Sequence, residues 1–143
     1  MTEISFHFNV PERIDYVCRL VRKAVRLGAS VVITGPEPAL APLDRALWVF
    51  DELAFLPHVM LEPGQAIAER LRPTRVWLGA DASQPGHHDV LVNLGDEAPA
   101  GFESFAKLIE VVTPADADRA GARARWKHYA SRGYEITRHE VGA

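Results

Sequence analysis

The pattern of apolar and polar positions along the chain predicts short strands separated by helices and loops. Residues 3–9 alternate and are rich in strand-forming side chains, and residues 30–34 form a continuous apolar run of strand length. Such a run is typical of a strand that is buried on both faces of a sheet. Between these two segments, apolar residues recur at helical spacing: Ile14, Val17, Cys18, Val21, Ala24 and Val25. Further strands are predicted at 75–79, 89–94, within 102–112 and at 134–141.

The helix boundaries are predicted from capping residues and from proline. We expect Asn9 to cap the first helix, with Pro11 in its first turn, and Gly28 to end it. The second helix ends with residues 43–50. Pro42 is expected in its first turn or before it, because an interior proline costs about 3 kcal/mol. The last helix is predicted at 114–132, with Thr113 as its cap.

The order of these elements predicts an α/β fold. A strand, a helix and a strand follow one another within about 34 residues, which favours a parallel β-α-β unit. The whole pattern predicts a three-layer α/β/α, Rossmann-like architecture with a mostly parallel sheet and helices on both faces. Residues 1–143 are expected to form a single domain, since their number suits one substantial core.

Composition adds few constraints to this fold. Apolar residues make up 48% of the chain, charged residues 24%, and the formal net charge is -3, as in an ordinary globular protein. Cys18 has no second cysteine to pair with, which suits a reducing compartment. The first residues lack the features of a signal peptide, and no apolar run of 18 residues occurs. A charged partner would therefore have to recognise a local patch.

The one concentrated patch lies at residues 119–134, RAGARARWKHYASRGY. It contains four arginines and one lysine, large aromatic residues and no acid. On a helix, Arg119, Arg123 and Trp126 share one face with Lys127 at its edge, whereas Arg125 and Arg132 point elsewhere and are expected to be solvated. A groove of this composition suits an acidic peptide that ends in an aromatic residue and a free carboxylate. It also suits phosphates, so nucleic acid remains an alternative ligand.

Two orientations of this helix are possible. In the first, the small face packs on the sheet and presents Trp126 to solvent; that face comprises Ala117, Ala120, Gly121, Ala124 and His128. In the second, Ala122, Trp126 and Tyr129 form the buried stripe and the arginines are solvated on either side. The two interpretations can coexist, because a half-buried tryptophan can form the floor of a groove while its neighbours supply the charge.

No catalytic or cofactor-binding constellation is found in the sequence. The P-loop spacing, GxGxxG and GxSxG are all absent. His87 and His88 are adjacent and so point in divergent directions, which disfavours a metal site with Asp89. Cys18 lies on the apolar face of the first helix, as expected for an inert core thiol. Glu110 could belong to a carboxylate site with Asp116 and Asp118, although acids at a helix start explain the two aspartates. We therefore expect no metal and no cofactor.

Three blocks of sequence, in their order and spacing, carry a family resemblance. The first is LDRALW at 43–48 followed by FLPH at 55–58; the second is DVLVNL at 89–94 followed by the 102–112 segment; the third is RARWKHYASRGY at 123–134. With these blocks the chain resembles, over nearly its full length, the chi subunit family of bacterial DNA polymerase III, part of the clamp-loader assembly.

The resemblance implies a non-catalytic, cytoplasmic adaptor of the replisome with an α/β/α fold and no nucleotide site. Chi subunits bind the acidic C-terminal tail of single-stranded DNA-binding protein on one surface and the psi subunit on another. A helicase is a further partner that the resemblance suggests, and contact with DNA would be indirect. Two alternatives come from other classes: a small-ligand or nucleotide-binding α/β enzyme, and direct nucleic-acid binding through the basic last helix.

The family's functional residues can be transferred by motif. The tail-binding residues correspond to Arg119, Arg123, Trp126 and Lys127, with Trp126 where the family often has tyrosine and Ala130 where some members have a basic residue. Trp48 and Val112 are lesser candidates for the apolar part of that pocket. The psi-binding residues correspond to Phe55, Leu56, Pro57 and His58.

Overall fold

A computed structural model describes residues 1–50 and 56–141 of the chain, and over these residues it shows seven strands and three helices. The strands are β1 (Glu3–Phe8), β2 (Val31–Thr34), β3 (His58–Met60), β4 (Val76–Gly79), β5 (Val90–Asn93), β6 (Lys107–Val111) and β7 (Ile136–Glu140). The helices are α1 (Arg13–Arg26), α2 (Glu37–Val49) and α3 (Asp116–Ser131), with single 3₁₀ turns at Glu69–Leu71 and Phe102–Ser104.

All strand pairs in the sheet are parallel, and the strand order is β3-β4-β2-β5-β6-β1-β7. The sequence predicted a mostly parallel sheet with helices on both faces, and this prediction is confirmed. Strands β2 and β4 are buried along their whole length, which explains why they lack the alternation of a half-exposed strand. Strand β7 lies at one edge and is largely exposed. That edge, beside α3, is where the candidate site forms.

Side chains alternate between the two faces of the sheet and fill two separate cores. On one face, α1 and α2 cover residues such as Val31, Ile33 and Ile109. On the other, α3 and the loops around Leu61 and Phe102 cover a second cluster. The single cysteine, Cys18, is fully buried in the first core, and burial raises the pKa of its thiol to about 11. The expectation of an inert core thiol is therefore confirmed.

The helix starts differ from the expected ones. Asn9 does not cap α1, which begins at Arg13 after Glu12. Asn9 instead has a φ of 58°, in the left-handed region that asparagine tolerates better than most residues, and its Nδ2 donates to Oε1 of Glu140 at 2.7 Å. Thr113 does not cap α3 either: its hydroxyl hydrogen-bonds the Asp118 carboxylate at 2.5 Å, and the helix begins at Asp116. The partner of Asn9 is 131 residues away, which local capping rules could not anticipate, whereas that of Thr113 lies within α3 itself.

Pro42 lies inside α2, contrary to the expectation that it would stand at or before the first turn. The helix begins earlier, at Glu37, so Pro42 removes the hydrogen bond to the carbonyl of Pro38. Leu40, Leu43 and Leu47 are buried on the inner face of this helix. Burial of three leucines contributes about 1.5–3 kcal/mol each, which exceeds the cost of one interior proline.

None of the helices in the described part of the chain is both long and apolar enough to cross a membrane.

Candidate functional site

An open groove of about 350 Å³ lies between α3 and the edge strand β7. We call it the α3–β7 groove. Its lining residues are Phe8, Asn9, Arg119, Ala122, Arg123, Trp126, Lys127, Arg138 and Glu140. The helix provides one wall, β7 provides the opposite wall, and Trp126 together with Phe8 at the end of β1 forms the floor. All four side chains assigned to tail binding from the sequence come together here.

The floor of the groove is aromatic. Trp126 is half-buried, and its ring lies 5.1 Å from that of Phe6 and 6.2 Å from that of Phe8, centroid to centroid. Phe6 is completely buried and belongs to the core beneath. The floor is therefore supported from below by the core, while part of the half-buried indole stays exposed. A preformed aromatic surface of this kind binds an apolar side chain without first having to be ordered.

Positive charge surrounds this floor. Arg119, Arg123 and Lys127 are exposed along α3, and Arg138 faces them from β7. Glu140 is the only acid among the lining residues, so the groove has a formal charge of +3 in a chain whose net charge is -3. A local field of this sign attracts carboxylates or phosphates.

The first of the two orientations predicted for α3 is wrong. Ala117, Ala120, Ala124 and His128 are exposed rather than packed on the sheet. Ala122 and Tyr129 are fully buried, with Trp126 half-buried between them. The second orientation and the half-buried tryptophan are therefore confirmed. The small residues did not predict the buried face of the helix. A large ring such as Tyr129 buries more apolar surface against the core at this point than an alanine does.

The prediction for Arg125 is also wrong, because its side chain is not solvated. Its Nε donates to Oε1 of the fully buried Glu110 at 3.0 Å, and its Nη1 donates to the carbonyl of Asp96 at 3.0 Å. Its side chain is only 10% exposed. A Cβ at Gly121 would lie 3.1 Å from Nη1 of Arg125, so the absence of a side chain there leaves room for the guanidinium. Arg132 is exposed, as expected.

Glu110 receives four hydrogen bonds in the core beneath α3. Besides Arg125, the Tyr129 hydroxyl donates to Oε2 at 2.7 Å, and Nδ2 of Asn93 lies 3.0 and 3.2 Å from the two carboxylate oxygens. Burial is the largest influence and raises the pKa of Glu110, whereas the charge of Arg125 acts in the opposite direction. Burial and the nearby carboxylate raise the pKa of Tyr129, so its phenol stays protonated and donates. This network fixes α3 on β5 and β6.

Sequence reasoning missed the residues that line the groove from outside α3. These are Phe8, Asn9, Arg138 and Glu140. The alternation in residues 134–141 placed Arg138 and Glu140 on one face of a strand, but only the sheet order puts β7 beside β1 and under the edge of α3. The pairing of β7 with the first strand of the chain is not visible in local sequence patterns.

The two lesser candidates for the apolar part of the pocket do not line the α3–β7 groove. Val112 is 1% exposed and lies within the core beneath α3. Trp48 is near the end of α2, and its ring centroid lies 4.2 Å from that of His58 on β3. Since β3 and β7 form opposite edges of the sheet, Trp48 is remote from the groove.

The residues assigned to psi binding lie at that opposite edge. Leu56 and His58 are buried, whereas Pro57 is exposed. The His58 ring is held by the carbonyls of Leu56 and Asp44, at 2.7 and 3.1 Å, and by the Asp44 carboxylate at 3.2 Å. Phe55 lies outside the described residues. Among the described residues near this edge, Pro57 is exposed, as are Trp48 at 52% and Val49 at 76%.

The two adjacent histidines have separate surroundings. Nε2 of His87 lies 3.1 Å from the carbonyl oxygen of Arg72, and the His88 ring packs edge-on to Phe105. Within residues 1–50 and 56–141, no three histidine, cysteine or acidic side chains are grouped closely enough to hold a metal ion.

The crevice beyond the carboxyl ends of β2 and β5 is where α/β folds of this type bind nucleotides. Here a Cβ on Gly35 would lie 3.2 Å from the backbone of Leu94, so the two loops already touch. The crevice is lined by Asp96 and Glu97, and α2 begins with Glu37 and Pro38. Acidic side chains and a missing N–H group both oppose phosphate binding at this helix start.

The comparisons of this chain with known proteins agree with one another. Residues 1–137 match the family model described as DNA polymerase III chi subunit, HolC. The chain is 32% identical to a DNA polymerase III subunit chi of Pseudomonas aeruginosa over 146 aligned positions, covering 99% of this chain and 98% of that protein. It is 31% identical to the subunit chi of Haemophilus influenzae over 129 positions, covering 90% and 87% of the two chains.

Proposed function

This chain belongs to the DNA polymerase III chi subunit family, whose members are replication accessory subunits, and we propose that it acts as a non-catalytic adaptor. Its partner in this proposal is single-stranded DNA-binding protein, whose acidic C-terminal tail would bind in the α3–β7 groove. The adaptor would work in the cytoplasm, where bacterial replication takes place.

The observation that carries this proposal is the combination of charge and aromatic floor in one groove. Arg119, Arg123 and Lys127 can pair with the carboxylates of an acidic tail. Trp126, which is half-buried, offers a surface for a terminal aromatic side chain between those charges. The volume of about 350 Å³ is at the lower end for small-ligand cavities, which suits the last residues of a peptide better than an entire folded partner.

Direct binding of nucleic acid is a weaker explanation of the same groove. A long polyanion would need an extended basic surface. The other basic helix, α1, packs on the opposite face of the sheet from α3, so the two do not form one surface. On α1, Arg19 is already paired with Asp15 at 2.8 Å. We therefore expect the free protein to bind oligonucleotides poorly at physiological salt, and tight binding of naked single strands would favour this alternative.

For the psi subunit, we propose docking at the β3 edge of the sheet. Pro57 beside β3 and Trp48, whose ring packs on His58, are exposed at this edge, and Val49 follows Trp48 in the chain and is exposed too. Apolar exposure of this kind is common at protein interfaces. Leu56 and His58 would support that surface from beneath rather than contact the partner. Because this edge is opposite β7, one chain could engage a tail and a second subunit at once. A helicase partner could use either surface.

A pull-down with single-stranded DNA-binding protein tests the proposed function. The immobilised chain is expected to retain the full-length protein and to lose it when the last few residues of the tail are removed. Retention should fall as salt is raised, because charge pairs at an exposed groove are screened. Equal retention of the full-length and truncated proteins would contradict tail binding. Retention of single-stranded DNA alone would instead favour the nucleic-acid alternative.

A further inference from the structure

Strand β7 contributes Arg138 and Glu140 to the α3–β7 groove, and their arrangement indicates a further binding feature. Strand residues alternate between faces, so Arg138 and Glu140 lie on the side of α3. His139, between them, lies on the other side, where its ring is 5.0 Å from that of His7. In the parallel pairing, Arg138 is opposite Phe6 and Glu140 is opposite Phe8. Both side chains therefore stand over the aromatic floor.

Arg138 packs on an aromatic ring in the groove and faces a carboxylate. The carbon at the centre of its guanidinium lies 4.7 Å from the Phe8 ring centroid, a cation–π distance. Its Nη2 lies 3.6 Å from Oε1 of Glu140. The Arg138 side chain is 62% exposed and the Glu140 side chain is 50% exposed. The guanidinium is thus positioned by an aromatic ring and engages its carboxylate partner loosely.

Glu140 is positioned by a different residue. Asn9 Nδ2 donates to its Oε1 at 2.7 Å. Asn9 adopts a φ of 58° at the end of β1, which directs its side chain across to β7. The carboxylate is therefore fixed within the groove, beside Arg138, in the kind of position that a ligand carboxylate would occupy.

We propose that Arg138 is a fourth ligand-binding cation of the α3–β7 groove and that Glu140 occupies it in the free protein as an internal substitute for a ligand carboxylate. This proposal rests on the proposed function, because the ligand is the same acidic tail. Binding then exchanges an intramolecular ion pair for an intermolecular one, and Glu140 lowers the affinity by competition. It also favours ligands with several acids over those with one, since a single carboxylate gains little from the exchange.

The test is a set of titrations with the peptide Asp-Asp-Asp-Ile-Pro-Phe. Glu140→Gln keeps an oxygen that can accept from Asn9, removes the competing charge, and should bind the peptide about two- to fivefold more tightly. Arg138→Gln should bind about three- to tenfold more weakly. In the Arg138→Gln background, Glu140→Gln should give much less gain, because the cation for which it competes is absent. Glu69→Gln, which makes the same charge change in the 3₁₀ turn between β3 and β4, should leave affinity unchanged.

The outcomes separate this inference from the proposed function. If the wild-type chain binds the peptide but Glu140→Gln does not improve the affinity, or improves it equally with and without Arg138, the competition is refuted and tail binding stands. If neither the wild type nor any variant binds the peptide, the proposed function fails and this inference fails with it.

Discussion

Glu110→Ala is expected to lower the free energy of unfolding by about 3–5 kcal/mol, the usual cost of removing one partner from a buried ion pair. Glu110 is fully buried and accepts hydrogen bonds from Arg125, Tyr129 and Asn93. Without the carboxylate, the guanidinium of Arg125 remains almost buried with only the carbonyl of Asp96 to bond. Urea-induced unfolding followed by circular dichroism measures the change.

A double variant identifies the cause of this loss. Arg125→Met and Glu110→Met, each made alone, should destabilise by a similar amount, because each leaves one member of the pair buried without the other. Glu110→Met combined with Arg125→Met should recover at least half of the loss, since replacing both members of a buried pair with apolar groups is often neutral. Arg132→Ala is the matched control: Arg132 is exposed at the end of the same helix, and its loss should change stability by less than about 0.5 kcal/mol. Additive losses from the two single changes would show that the pair is not coupled.

The second large effect is expected on binding: Arg123→Glu should weaken the affinity for the acidic peptide by about 10- to 100-fold. Arg123 is exposed and lines the α3–β7 groove, so its reversal places a carboxylate where the ligand needs a cation. Lys127→Ala, which removes a charge without reversing it, should weaken binding less. Neither side chain contributes to the core, and thermal stability should stay nearly unchanged in both variants.

Arg132→Glu is the control for this second prediction. It makes the same change in net charge on the same helix, but Arg132 does not line the groove. If Arg132→Glu weakened binding as much as Arg123→Glu does, the interaction would depend on the overall field of the protein and not on this groove. If Arg123→Glu unfolded the protein, Arg123 would be structural and its assignment to binding would lose its basis.

The sequence predicted the layers of the fold well because burial leaves a direct trace in it. Strand β2 is a continuous apolar run, and α1 buries Val17, Cys18 and Val21 at the expected helical spacing. The residues of α3 that line the groove were predicted for a similar reason, since their spacing on a helix decides which of them share a face. That Arg119, Arg123, Trp126 and Lys127 line one groove follows from this regular geometry.

The parts that were missed depend on contacts between distant segments. Arg125 was expected to be solvated because charged residues usually are, and its buried partner lies on another element. A signal was present: Glu110 stands between Ile109 and Val111 in the buried part of β6. An acid in that position requires a buried donor, and the following helix offers several arginines. Spacing alone could not tell which of them turns inward.

The opposite wall of the groove could not be found from the sequence for a related reason. Arg138 and Glu140 are adjacent to α3 only because β7 pairs with β1 at the edge of the sheet. The prediction that Asn9 caps a helix was wrong for the same reason, because its side chain donates to Glu140, which is far away in the sequence. Capping rules describe local competition, and here a contact between the two ends of the chain prevails.

Calorimetric titration of the wild-type chain with the peptide Asp-Asp-Asp-Ile-Pro-Phe tests the central claim most directly. We expect one site with a dissociation constant on the order of micromolar, corresponding to about 8 kcal/mol of binding free energy. The affinity should fall as salt is raised from low to physiological concentration. The absence of heat at high peptide concentration, under conditions where the protein is folded, would contradict the assignment of the α3–β7 groove to an acidic tail.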